Sequence, residues 1–117
     1  MADAEIMVSD VSSVAVQYLA LDRPIVCVVD PSVASRSHSY APNGIEWQLH
    51  SGAMVASNAV QTAKAVRDAL SGRTPPAVVK ERRALREHLY GDLTDGRAGE
   101  RIVSLIRQEL ESPPAQR

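Results

Sequence analysis

Val8–Pro31, VSDVSSVAVQYLALDRPIVCVVDP, reads as the end of an apolar strand, a serine turn, a helix and a second apolar strand. Glu5–Ser9 (EIMVS) is a short apolar run of strand length, which periodicity alone does not separate from helix. The next segment decides. Val11, Val14, Ala15, Tyr18 and Leu19 fall at i, i+3, i+4, i+7 and i+8, one helical face. Asp10, Ser12 or Ser13 can cap that helix, because each offers an oxygen to the unpaired N–H groups of a first turn. Pro24 is expected to end it by pushing the preceding residue out of the α region. PIVCVV has the β-branched density of a strand buried on both faces. Two buried strands joined by a helix predict a right-handed parallel crossover.

The rest of the chain extends this unit. Pro31–Gly52 is irregular, with APNG a turn signal, and AMVAS (Ala53–Ser57) predicts a short third strand. Ser57 or Asn58 caps the next helix, whose expected stripe is Ala59, Ala63, Val66 and Leu70, closed by Gly72. A further helix is expected from about Val79 to Tyr90. It turns Leu85 and Leu89 inward and Lys80, Arg82, Arg83 and Arg86 outward, and Gly91 ends it. Thr94 or Asp95 opens a last helix with Ala98, Ile102, Leu105 and Ile106 on its apolar face, and ESPPAQR reads as a frayed tail. The fold class is α/β: part of a doubly wound, Rossmann-like domain, a short parallel sheet followed by three helices. Residues 1–111 form this incomplete domain and 112–117 a disordered tail. So few parallel strands leave an open sheet edge beside the first strand, and such an edge wants a neighbour.

Composition narrows the function classes. With 117 residues, 44% hydrophobic and 23% charged, the chain suits one ordinary soluble domain. A net charge of -1 argues against nucleic acid as a partner, and 3% aromatics without Phe argue against base-stacking platforms. The single Cys27 excludes an internal disulfide and reads as a buried structural thiol. No apolar run approaches the ~20 residues of a spanning helix, the acidic N-terminus is unlike a signal peptide, and a cytoplasmic location follows by default. No histidine spacing suits a zinc site, so neither metal nor cofactor is expected.

Ligands of doubly wound sheets sit at the carboxyl ends of the strands, where Asp10, Ser12 and Ser13 lie. A helix N-terminus favours anions, and serine hydroxyls can add hydrogen bonds to phosphate oxygens. The same D-x-S-S is also a good cap, which local chemistry alone favours. His38 with Arg36, and the cluster Lys80, Arg82, Arg83, Arg86, could each touch phosphate but read first as a solvated loop and a solvated helix face.

SDVSSVAVQYLALDRPIV (Ser9–Val26) resembles the TDYSSV…D…LLLDKPI block of the CDP-glycerol glycerophosphotransferase family. SGAMVASNAVQTAKAVRDAL (Ser51–Leu70) and ERRALREHLYGDLTDGRAGERIVSLI (Glu81–Ile106) are similar to two later blocks of that family, in the right order. The resemblance implies a GT-B arrangement of two Rossmann-like domains, of which this chain is the C-terminal, donor-binding part. The implied reaction transfers glycerophosphate from a CDP-glycerol-like donor during teichoic-acid-type polymer synthesis at the inner membrane face, by proteins peripheral to the membrane. The family's serine pair falls on Ser12 and Ser13, which would bind donor phosphates. Asp10 and Gln17 would support them, and the family's late DG and arginine fall on Asp95, Gly96 and Arg101, on a helix expected to face the domain interface. Val11 replaces the family's usual aromatic and Gln17 its usual acid, which in related nucleotide-sugar enzymes often holds the ribose.

The catalytic half of the family, with its base, has no counterpart here, so no catalytic residue is assigned and the chain is expected to be silent alone. Two other readings remain: a non-catalytic interaction module or half of a split protein, dimerising through the open sheet edge or joining a separate N-terminal domain; and a fragment of another GT-B nucleotide-sugar enzyme, a glycosyltransferase or an epimerase.

Overall fold

A computed structural model describes residues 3–30 and 43–111. The elements run β1 (Met7–Ser9), α1 (Ser13–Tyr18) continued as a 3₁₀ turn (Leu19–Leu21), β2 (Ile25–Val28), α2 (Ile45–Gln48) with a second 3₁₀ turn (Leu49–Gly52), β3 (Met54–Ala56), α3 (Ala59–Leu70), α4 (Pro76–Tyr90) and α5 (Ala98–Glu111). The loop candidates Arg36 and His38 and the tail 112–117 lie outside the described residues.

The sheet has order β1-β2-β3 and both pairings are parallel, as the strand–helix–strand reading requires. Met7, Val8 and Ser9 stand opposite Ile25, Val26 and Cys27, while Val26, Cys27 and Val28 stand opposite Met54, Val55 and Ala56. The architecture is a small α/β body with a three-stranded parallel sheet, consistent with part of a Rossmann-like domain. Side chains alternate across a sheet, so Met7, Ile25 and Cys27 share one face and Val8, Val26 and Met54 the other. On the first face Ile25 and Cys27 bury with Ala15, Tyr18, Leu19, Leu49 and Ala53, and Leu85 and Tyr90 of α4 pack against the same cluster. α3 packs on β2 and β3. Ile25, Val26 and Cys27 are all buried, so the central strand is covered on both sides.

Local chemistry explains the helix ends. Asn58 caps α3 by accepting from the Gln61 N–H at 3.0 Å, and the Gln61 side chain reaches back to the Ser57 N–H at 2.9 Å. At the other end Arg73 N–H donates to Asp68 O (2.7 Å) and Gly72 N–H to Ala69 O (3.0 Å). That double closure needs a left-handed residue, and Gly72 supplies φ 70°. Pro76 opens α4 at its first turn, where a missing N–H costs nothing.

Four expectations are corrected. α1 is shorter than its apolar pattern: Val11 precedes the helix and Val14 is half exposed, so the buried side is Ala15, Tyr18 and Leu19. The crossover helix ends at Asp22, in the left-handed region at φ 49°, before Pro24 acts. In α3 the inward side runs through Thr62, Ala65, Val66 and Ala69, while Ala59, Ala63 and Leu70 are exposed; small residues there let the helix approach the sheet. In α4, Arg82 is buried and Leu89 is exposed, the reverse of the expected orientation.

Candidate functional site

The chain leaves β1 at Ser9 and reaches α1 through Asp10, Val11 and Ser12. Ser12 is extended (φ -149°, ψ 138°), and its hydroxyl oxygen accepts from the Val14 N–H at 3.2 Å. It is therefore the cap, as one of the three candidates anticipated. Capping uses an oxygen lone pair and leaves the hydroxyl proton available to donate. A phosphate oxygen needs donors, so capping and phosphate binding are compatible at this residue. Ser13, the first helical residue, is exposed, as are Asp10 and Gln17. Gln17 lies one turn beyond Ser13 and thus on the same side of α1.

Burial, and to a lesser degree the negative charge of Asp10, pushes the Cys27 thiol up to about 11. Cys27 is thus inert as a nucleophile at neutral pH and acts as a small core side chain. Among the described residues no group of three His, Cys, Asp or Glu side chains could hold a metal ion.

Asp95, Gly96 and Arg101 do come together, but with one another. Arg101 donates to both carboxylate oxygens of Asp95, at 2.9 and 2.6 Å, and the Arg97 N–H donates to Asp95 at 3.0 Å. The Arg101 and Arg97 bonds hold the Asp95 carboxyl below the usual carboxylate range. Gly96, at φ 76°, makes the bend that lets Asp95 face back onto the helix. Among the described residues α5 has no extended packing against another element. In the structure the late DG…R group is thus engaged with itself at the start of α5.

The residues that the sequence reading missed lie in α4. Arg82 Nε donates to Asp22 Oδ1 at 3.0 Å, Arg83 Nε to Asp22 Oδ2 at 3.1 Å, and Arg82 Nη2 to the Asp22 carbonyl at 3.3 Å. Arg86 Nε donates to Ala20 O at 3.0 Å and Arg86 Nη2 to Thr94 Oγ1 at 3.0 Å. The Tyr90 hydroxyl donates to Val16 O at 3.1 Å. Burial alone would raise the Asp22 carboxyl, but the bonds and charges of Arg82 and Arg83 outweigh it and leave the group below its ordinary value. Gly52 makes this docking possible: a Cβ there would meet the Arg82 Cα at 2.8 Å. His50, two residues earlier, stacks edge-on to Trp47 at 5.3 Å, and burial lowers its pKa. A signal for the network was present. Arg82, Leu85 and Arg86 share one helical stripe by spacing, so a stripe that buries Leu85 must carry the arginines with it.

No curated protein and no solved structure matches the chain. A family model does: CDP-Glycerol:Poly(glycerophosphate) glycerophosphotransferase, over residues 1–108. That match spans β1 through nearly all of α5, including the serine turn, the α4 network and the Asp95–Arg101 pair, and the chain belongs to the CDP-glycerol:poly(glycerophosphate) glycerophosphotransferase family.

Proposed function

We propose that this chain is a donor-binding part of a glycerophosphotransferase, taking the diphosphate of a CDP-glycerol-like nucleotide at the Ser12–Ser13 turn. The observation that carries the reading is the state of that serine pair within a chain of this family: the Ser12 hydroxyl keeps a proton to donate while it caps α1, and Ser13 is exposed beside it. Exposed Gln17, one turn along the same side, offers an amide to a donor hydroxyl without the charge of an acid.

Transfer of glycerophosphate from the diphosphate of the donor to an acceptor oxygen, with the nucleoside monophosphate leaving, needs a positioned base for the acceptor and charge stabilisation around the reacting phosphorus. In this reading a second wall supplies them, the chain by itself binds donor without turning it over, and Asp95, Gly96 and Arg101 order the start of α5 rather than touch the donor. A role in teichoic-acid-type polymer synthesis at the inner membrane face is part of the proposal; among the described residues no helix is long and apolar enough to cross a membrane.

Calorimetric titration with CDP-glycerol, CDP and UDP tests it. Saturable binding that prefers the cytidine ligands, and that weakens in S12A/S13A, is expected. Equal affinity in S12A/S13A removes the assignment, and preference for UDP moves the chain to another nucleotide-sugar chemistry. The reading as an association module has one observation in its favour, the uncovered apolar side of α5. A mass that rises with concentration in sedimentation would support it.

A further inference from the structure

α1 has six residues and its 3₁₀ continuation three. Helices this short do not hold themselves in water, so their position is set from outside. The carbonyls at the end of such a segment also lack partners within it. Here α4 supplies partners to Ala20 O and Asp22 O, and adds a second donor to Val16 O, which already accepts from the segment's own backbone. Tyr90 donates to Val16 O, Arg86 to Ala20 O and Arg82 to Asp22 O, at 3.1, 3.0 and 3.3 Å. These three bonds fall at successive points along the segment and come from residues sixty or more positions away in the chain. The donors are themselves held: Thr94 fixes Arg86, Asp22 fixes Arg82, and Gly91, at φ 48°, ends α4 at Tyr90. Two cations at the carboxyl end of the segment also complement its dipole.

We propose that Arg86 and Tyr90 are positioning residues for the Ser12–Ser13 turn, an inference that rests on reading that turn as the donor phosphate site. The segment is a short rod with the serines at one end and the α4 bonds at the other. Releasing the far end lets the near end move, and displacement of a binding group by about 1 Å is enough to lose much of its contribution. Neither residue touches the donor; both act through the backbone of Val16–Asp22.

The test compares wild type, S12A/S13A, R86M, R86K and Y90F; Met has the length of the arginine stem and no N–H to donate to Ala20 O. Two readouts are taken well below the unfolding temperature: amide hydrogen exchange along α1 and β2, and affinity for CDP-glycerol. R86M and Y90F should each lose about tenfold in α1 amide protection, as expected for one hydrogen bond, with β2 protection unchanged. Their CDP-glycerol dissociation constants should rise by a similar factor, and R86K, which keeps one donor, should fall between. Equal losses of protection in α1 and β2 would make the residues merely structural and overturn the proposal, as would unchanged α1 protection. Weakened binding in S12A/S13A with wild-type affinity in R86M and Y90F overturns the positioning role alone. Wild-type affinity in S12A/S13A, or no binding by wild type, overturns the donor reading and the role with it.

Discussion

The sheet body and α5 are built from similar sequence patterns and end in opposite states. In the body, Tyr18, Leu19, Ile25 and Leu49 are all within 1% of full burial. On α5, Ile102 is 57% exposed, Leu105 61%, Ile106 53% and Leu110 70%. Each large aliphatic side chain left in water forgoes about 1.5–3 kcal/mol of transfer free energy. Meanwhile a charged residue, Arg82, is 5% exposed inside the body. Hydrophobic spacing thus specifies a face, while burial requires a second surface shaped to meet it. α4 has one, at Gly52 and Asp22; α5 has none among the described residues.

The sharpest way to break this contrast is to unseat α4. Gly52→Ala puts a Cβ against the Arg82 backbone, which no rotamer change relieves. A loss of about 2 kcal/mol is expected, read as a lower denaturant midpoint, because overpacking of this kind typically costs about 1–3 kcal/mol. An unchanged midpoint would mean that α4 is not seated there.

Asp22→Asn should cost somewhat less, about 1–2 kcal/mol. Asn tolerates the left-handed backbone at φ 49°, so the loss isolates the charge partner of buried Arg82. The Asp22 side chain is 31% exposed, which keeps the cost below that of a fully buried pair. pH gives the same information. The folded-state pKa is depressed below the ordinary aspartate value of 3.8, so this stabilisation is complete above that value and disappears as pH falls through the lower, folded one. Acid denaturation of wild type should steepen below about pH 4, and the Asn variant should lose that steepening.

The other side of the comparison responds weakly. Gly99 lies within α5 with open space where a Cβ would sit, so Gly99→Ala should raise helix content in circular dichroism and stabilise α5 by up to about 1 kcal/mol. Ile102→Gln with Leu105→Gln should change the unfolding midpoint least, by no more than about 0.5 kcal/mol, since both positions are already solvated. A large loss in that double variant at working concentration would show that a partner covers α5 in solution.

Legibility followed the range of the interaction. The crossover, its buried second strand, the short third strand and the caps at Ser12, Asn58, Gly72 and Gly91 were all readable, because neighbours within a few residues decide them. The third-helix stripe was misplaced by a register because Ala is apolar enough to fit several stripes, and the sheet's shape chose Ala65 and Ala69. At the site, the serine turn was visible as chemistry. The arginines of α4 were read as a solvated face: spacing puts Arg82 and Arg86 on the Leu85 stripe, but nothing local to Lys80–Arg86 announces the aspartate sixty residues earlier that receives them.

By itself, the sequence determined the three strands, the crossover helix, the three later helices, their parallel order and the family, through local propensity, capping and periodicity that need no partner surface; α2 lay in a stretch read as irregular. Only the tertiary structure decided which side of α4 turns inward, why Gly52 must lack a side chain, and that Asp22 meets two arginines. Those outcomes depend on contacts between distant segments, whose free energy exists only once the chain has closed on itself.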